Sequence, residues 1–364
     1  MPTREGDRRT MKSIPQVLTS ERLNQLLHQF SALKAGVIVD IGLDVYWYAD
    51  MTRAHLSRET PHFPRPVVRE AYSPGAGGNV AQNLVALGVG EVTVFSVFGK
   101  DTWGDRLKAE LNQRKIHTAG ILRHAARRTI AFIKPMLLGY NSQQEDARLD
   151  FESSLPLTNR VEDQLLAALE RRLDTLNTVL IADQQELFEV ITPRVRQRLN
   201  ELAAANPRLC FLTDSRQRIG LFQNITLKPN WVEAVAAIAP ERDPRQVSWA
   251  EMLEIGRRLS RQSGRPVFIT LSENGVLVCT PDEQEQIAAA PVRPPLDVVG
   301  AGDTFIAALA AALSAGATPW EAGAIANLAA GVTVEKLNQT GTATPEEILA
   351  RYELTSATGN DGLT

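Results

Sequence analysis

Cysteine is almost missing from this chain. Its 364 residues contain two, Cys210 and Cys279, both inside apolar runs. They read as core thiols, so neither a disulfide framework nor a Cys/His metal site is available. No apolar run is long enough to span a bilayer, and no apolar stretch follows the N-terminal Met-Pro-Thr-Arg-Glu-Gly-Asp-Arg-Arg. The expectation is therefore no membrane partner, no signal peptide and a cytoplasmic location. Charge is nearly balanced at −3, which removes any global case for nucleic acid or an anionic surface as partner. There is no internal repeat and no low-complexity linker. Gly-x-x-x-x-Gly-Lys-Ser/Thr is absent, which excludes a P-loop. No Gly-x-Gly-x-x-Gly follows the first strand, which counts against a dinucleotide fold. The lack of a Gly-x-Ser-x-Gly elbow counts against an α/β hydrolase.

What is present is a globular composition, 44% hydrophobic and 22% charged. Residues 1–14 read as disordered, and Pro15 to about Ala32 as an amphipathic helix. Gly36-Val-Ile-Val-Asp-Ile-Gly-Leu-Asp44 is an apolar run ending in polar residues, as a buried parallel strand does at a ligand-facing rim. From Val45 to Tyr72 the pattern leaves the helix/strand alternation. Segments 129–138 and 148–152 read as strands that pair with this excursion in a small separate sheet. Helix 160–173, strand 178–183, helix 192–205, strand 208–214, strand 225–228, helix 248–263, strands 266–271 and 276–279, and helix 319–334 follow. A tail helix begins near Pro345. Alternation of this kind predicts an α/β fold with a mainly parallel sheet covered on both faces. Ligands then gather at the carboxyl ends of the strands, where Asp44, Asn79, Lys228, Asn230, Ser272 and Asp303 fall.

The most informative stretch is Asp297-Val-Val-Gly300-Ala301-Gly302-Asp303, running into an alanine-rich helix. Glycines let backbone crowd a ligand, and the first N–H groups of a helix suit an anion. A carboxylate makes a poor phosphate ligand there, but a good base for a hydroxyl while the N–H groups hold developing negative charge. Alternatively, Asp303 merely caps a buried helix. A second glycine turn, Gly75-Ala-Gly-Gly78-Asn79, also opens a helix, and Asn79 can donate to and accept from sugar hydroxyls. In Asn230-Trp-Val-Glu233 both polar side chains lie near one helical turn. Glu233 either helps hold a hydrated Mg²⁺ or closes a capping box.

The 297–309 stretch resembles the C-terminal signature of the ribokinase/PfkB carbohydrate kinase family. Gly75–Asn79, with Gly88 and Gly99 beyond, resembles its N-terminal signature, and Asn230–Glu233 its Asn-x-x-Glu motif. The likeness covers roughly residues 35–350. It implies a ribokinase-like three-layer α/β/α sandwich with a small β-sheet lid within about 45–73 and 128–152. The implied divisions are an N-terminal extension with a helix (1–32), a kinase domain (33–350) and a tail (351–364). The implied activity is ATP- and Mg²⁺-dependent phosphorylation of a hydroxyl on a sugar or sugar phosphate. Asp303 would be the base, and Gly300, Ala301 and Gly302 the anion hole. Asp44, Gly78 and Asn79 would bind the acceptor. Lys228, Asn230, Ser272, Gly275 and Asn327 would lie by the nucleotide, with Glu233 at the metal. The lid would pair two subunits into a homodimer.

Within the family the chain looks most like the D-glycero-β-D-manno-heptose 7-phosphate kinases, through Val39–Tyr48, Arg148–Glu152, Leu227–Asn230, Thr270–Gly275 and Ala326–Leu337. It departs from them at Val39, Val45, the loop from Ser57 to Pro66, and Val299. Some relatives carry a nucleotidyltransferase domain that is not read after residue 350. A phosphorylated acceptor would want cations near the lid, and Arg53, Arg58, Arg65, Arg127, Arg128, Lys134 and Arg148 are available; a solvated face explains them equally well. Three other readings stay open. One is a nucleoside kinase with Tyr46, Trp47 and Phe63 as base slot; another is a silent sugar- or nucleotide-binding regulator; the third is a vitamin kinase on the same fold, although such chains usually lack this lid.

Overall fold

The computed structural model describes residues 11–153, 155–186, 188–337 and 341–360. Among these residues the main sheet has ten strands. Its order is β1 (Met11–Lys12), β15 (Gln284–Ile287), β14 (Val276–Cys279), β13 (Val267–Thr270), β12 (Thr226–Leu227), β11 (Cys210–Ser215), β10 (Thr178–Asp183), β2 (Lys34–Val39), β5 (Glu91–Gly99) and β6 (His117–His124). Only the β13–β14 and β14–β15 pairings are antiparallel. A second sheet runs β4 (Val67–Ala76), β3 (Ile41–Asp50), β7 (Ile130–Leu138) and β8 (Gln143–Glu145), with β9 (Leu149–Phe151) also on β7. The helices are α1 (Ile14–Val17), α2 (Ser20–Gln29), α3 (Gly78–Ala86), α4 (Thr102–Gln113), α5 (Asn159–Glu170), α6 (Pro193–Ala205), α7 (Trp231–Ile238), α8 (Trp249–Ser263), α9 (Ala301–Ser314), α10 (Pro319–Thr333) and α11 (Pro345–Asn360).

Strand side chains alternate between the two faces of the main sheet, and both faces are dry. Val37, Val39, Leu180 and Ala182 pack beneath α2, α3, α9, α10 and α11. Ile38, Val179 and Ile181 face α5, α6, α7 and α8. This is the expected three-layer α/β/α sandwich with a small second sheet. The N-terminus differs from its sequence reading. Met11 and Lys12 join the sheet edge beside Gln286 and Ile287, and Ile14 is fully buried. The part of that reading covering residues 1–10 lies outside the described residues. At the other end, Tyr352 of α11 donates its hydroxyl hydrogen bond to the Leu18 carbonyl at 2.8 Å, and Arg351 pairs with Glu335 at 2.6 Å.

The chain leaves the main sheet at Asp40 and returns at Gly77, and the two points touch: Gly77 N–H donates to the Asp40 carbonyl at 3.2 Å. A Cβ at Gly77 would lie 1.8 Å from Val39 Cγ2 and 3.1 Å from Ala182 Cβ. No side chain fits there without moving the central strands. Gly77→Ala should therefore cost about 3 kcal/mol, as overpacking of a rigid core does. Val39→Ala should recover part of that loss, as read by urea unfolding of the single and double variants. Equal stability of Gly77→Ala and the parent would show that the turn yields.

Candidate active site

The site lies along the carboxyl ends of β11 and β12 and the N-termini of α3, α7 and α9. Gly300 is the N-cap of α9 at φ 82°, a conformation glycine adopts without strain, and no side chain caps the helix start. Ala301 N–H donates to the Val298 carbonyl at 3.2 Å, which corrects its place in the expected anion hole, while no side chain caps the N–H groups beside it. Asp303 sits one turn in, partly buried. Burial, with Asp214 nearby, pushes its carboxyl up to about 7, against the pull of Lys228, an Asn79 side-chain hydrogen bond and Arg216.

Lys228 is buried at the end of β12, and its Nζ is 3.0 Å from Asp214 Oδ2. Burial acts to lower its pKa, but Asp214, Glu233 and Asp303 together leave it raised, so it stays an ammonium. A Cβ at Gly302 would come 3.5 Å from Nζ, so bare backbone faces that cation. Asn230 and Glu233 form a full capping box on α7. The Asn230 side chain accepts from the N–H groups of Val232 and Glu233 at 2.9 Å, and Asn230 N–H donates to Glu233 Oε2 at 2.7 Å. Burial and Asp214 push the Glu233 carboxyl up to about 7. Among the described residues, no three His, Cys, Asp or Glu are arranged to hold a bare metal ion.

A buried hydrogen-bonded chain fixes α9 to its neighbours. Thr333 of α10 donates to the Thr304 hydroxyl at 2.9 Å, Thr304 donates to Asn83 Oδ1 at 2.7 Å, and Asn83 Nδ2 donates to the Asn79 carbonyl at 2.9 Å. Gly78 and Asn79 open α3 at this junction.

Asp44 sits apart, on β3 of the second sheet. Its buried carboxyl is 3.2 Å from Lys134 Nζ on β7; burial raises it and Lys134 opposes that. The register places Asp44, Tyr46 and Tyr48 on one face with Phe132, Lys134 and Arg69. Cations cover its rings: Arg69 lies 3.4 Å from the Tyr48 centroid, Lys134 5.0 Å from Tyr46 and Arg148 5.0 Å from Phe132. Ser272, at φ 55°, and Gly275, at φ 80°, form the β13–β14 turn. That turn follows Thr270, which bridges to Asn230. Asn327 is further back, its Nδ2 donating to the carbonyls of Ala288 at 2.8 Å and Ile287 at 3.2 Å. Asp303, Lys228, Asn79, Asn230 and Glu233 thus form one group, Ser272 and Gly275 adjoin it, and Asp44 belongs to the second sheet. Asp214 and Asn83 were not picked out from sequence. Asp214 had one available signal, an acid closing a buried strand as Asp44 does.

Lys134→Met should leave the Asp44 carboxylate buried without its cation and destabilise the protein by about 2 kcal/mol at neutral pH. The variant's Asp44 pKa lies further above its unfolded value, so the deficit exists above that value and vanishes as the carboxyl protonates. Urea unfolding at neutral pH and at about pH 4 reads this; a deficit equal at both would place the loss in packing.

A profile of the pfkB family carbohydrate kinases matches residues 43–347. The chain is 34% identical over 335 residues to the bifunctional protein HldE of Trichlorobacter lovleyi, covering 91% of this chain and 65% of that one. It is 32% identical to bifunctional protein HldE of Coxiella burnetii over 335 residues, covering 89% and 65%. The chain thus spans just under two thirds of the length of these curated relatives. The fold is similar to that of phosphofructokinase-2 from Escherichia coli in complex with potassium, with TM-score 0.68, 17% identity, and 89% of this chain and 99% of that one covered. It is also similar to ribokinase from Thermotoga maritima, with TM-score 0.63, 19% identity, and 88% and 99% covered.

Proposed function

The chain belongs to the pfkB family of carbohydrate kinases, and on that basis we propose that it transfers the γ-phosphoryl group of ATP to a hydroxyl of a phosphorylated sugar, with Asp303 as general base. Heptose 7-phosphate is the acceptor that the sequence resemblance implies. The observation that carries this reading is a carboxyl pushed to about 7 at the open N-terminus of α9, beside a buried ammonium.

Each part has a chemical task. Asp303 accepts the proton of the attacking hydroxyl. The N–H groups at Gly300 and Gly302 and the Lys228 ammonium hold the charge on the phosphoryl group in flight, Ala301 N–H being turned to the Val298 carbonyl. Lys228 keeps its position through Asp214. Asp44 and Asn79 hold acceptor hydroxyls. Glu233 has committed Oε2 to its own helix. Its other oxygen fits a water of a hydrated Mg²⁺, a donor set consistent with the lack of a three-ligand cluster among the described residues. When bound, Mg²⁺ neutralises phosphate charge.

Two features favour a phosphorylated sugar over a nucleoside. Lys134, Arg69 and Arg148 lie on the face that carries Asp44, where an anionic acceptor would sit. The rings expected to clasp a base do not converge: Tyr46 is covered by Lys134, Trp47 points to the opposite face and packs on the core, and Phe63 is 61% exposed.

Asp303→Asn should lower kcat by about 10²- to 10⁴-fold, the range of general base catalysis, with ATP affinity unchanged. In the parent, kcat/KM for the acceptor should fall as pH drops through about 7, because only the ionised carboxyl takes the proton. An ADP-release screen over heptose 7-phosphate, fructose phosphates, free sugars and nucleosides, with Asp303→Asn as blank, identifies the acceptor. Turnover confined to nucleosides or free sugars would discard the phosphorylated acceptor, and near-parental Asp303→Asn activity would discard the base. Glu233→Gln should raise the Mg²⁺ concentration needed for half-maximal rate; an unchanged titration would leave Glu233 as a helix cap alone.

A further inference from the structure

Asn79 contributes more than a ligand for hydroxyls, because its amide is oriented from behind. Gln82, one turn further along α3, uses every polar atom of its side chain. Its Nε2 donates to the Pro74 carbonyl at 2.9 Å and to Asn79 Oδ1 at 3.2 Å. Its Oε1 accepts from Arg114 Nε at 2.9 Å. Arg114 is pinned in turn: Nη1 donates to the Glu110 carbonyl at 3.1 Å and to the Glu110 carboxylate, and Nη2 donates to the Tyr72 carbonyl at 3.2 Å. Arg114 can only donate, so Gln82 must present its oxygen to it and its NH₂ to Asn79. Asn79 must then offer Oδ1 to Gln82, which leaves Nδ2 for the Asp303 carboxylate, whose charged form Asn79 favours. Turned over, the amide would set oxygen against carboxylate and NH₂ against NH₂.

We propose that Gln82, with Arg114 behind it, is a positioning residue that holds the Asn79 amide with Nδ2 toward Asp303, so that the base carries a fixed hydrogen-bond donor. The inference rests on Asp303 being the base. Four other charged or polar groups bear on that carboxyl: Asp214 and Lys228 at the strand ends, Arg216 just beyond β11, and Asn79 on α3. None of the first three touches Gln82, so the relay acts through Asn79 alone. Its outer anchors are carbonyls of β4, which ties the donor on the base to the second sheet.

The test needs no acceptor. In protein carrying ¹³C at the aspartate carboxyl carbon, the Asp303 resonance is the one lost in Asp303→Asn, and its titration midpoint is followed in the parent and the variants. Gln82→Met, neutral and of similar shape, should raise the midpoint by about half a pH unit or more, because the donor is no longer held on the carboxylate. Asn79→Ala should raise it at least as far. The double variant should match Asn79→Ala, since a residue acting through Asn79 has nothing left to act on. An unmoved midpoint in Gln82→Met, or additive shifts in the double variant, would overturn the proposal. If Gln82→Met fails to fold, Gln82→Leu carries the same expectations. The turnover of Asp303→Asn separately decides whether Asp303 is the base, so the two failures are told apart.

Discussion

A single buried ammonium, Lys228, lets three carboxyls meet at one edge of the sheet. Asp214, Glu233 and Asp303 all bear on it, and Asp214 lies within 3.0 Å. Without that charge the acids would repel one another in a partly dry site. With it, Asp214 serves as the committed partner, while Asp303 and Glu233 are pushed to about 7. The site is close to charge balance, with Lys228 and Arg216 set against Asp214 and the two carboxyls pushed to about 7. Under the function proposed above, a polyphosphate would arrive with its own counter-ion and so add little net charge to that balance.

The alanine-rich helix α9 follows from the same constraint. To aim its N-terminus at that strand edge, it must lie between the sheet, α3 and α10, so Phe305 to Ala312 are all buried. Small side chains let those neighbours approach closely. The price is little apolar area per residue, and the Thr333–Thr304–Asn83–Asn79 chain supplies direction that alanine packing lacks. Asp303 is thus placed by a hydrogen-bonded frame as well as by its helix.

Much of this was legible in the sequence, and the physics explains what was not. Central strands such as Thr178–Asp183 and Val276–Cys279 are dry on both faces, so each appears as an unbroken apolar run with the boundaries observed. Edge strands are diluted by exposed positions. Met11–Lys12 is exposed throughout and His117–His124 has one fully buried residue, and neither was read as a strand. At the site, the Gly300–Asp303 turn and the Asn230–Glu233 box are local and could be seen. The partners could not: Thr304 and Asn83 are 221 residues apart. Lys134 stood among seven candidate lid cations with nothing to single it out for Asp44. The two roles weighed for Glu233 also prove not to exclude one another, since the capping box uses only one of its oxygens.

The chain enters the second sheet twice, between Asp40 and Gly77 and again between β6 and α5, and that sheet carries Asp44, Lys134, Arg69 and Arg148 on its own strand pairings. These residues are thus inherited on different segments from Lys228, Glu233 and Asp303. Mutation can remodel one set while leaving the other's geometry intact, provided Gly77 and its neighbours at the crossings stay small. A lineage built this way can rebuild its second sheet without disturbing the group at the strand ends. The departures of this sequence fall mostly on that second sheet and its loop, at Val45 and from Ser57 to Pro66, while Val299 borders a Gly-Ala-Gly-Asp turn that is itself intact.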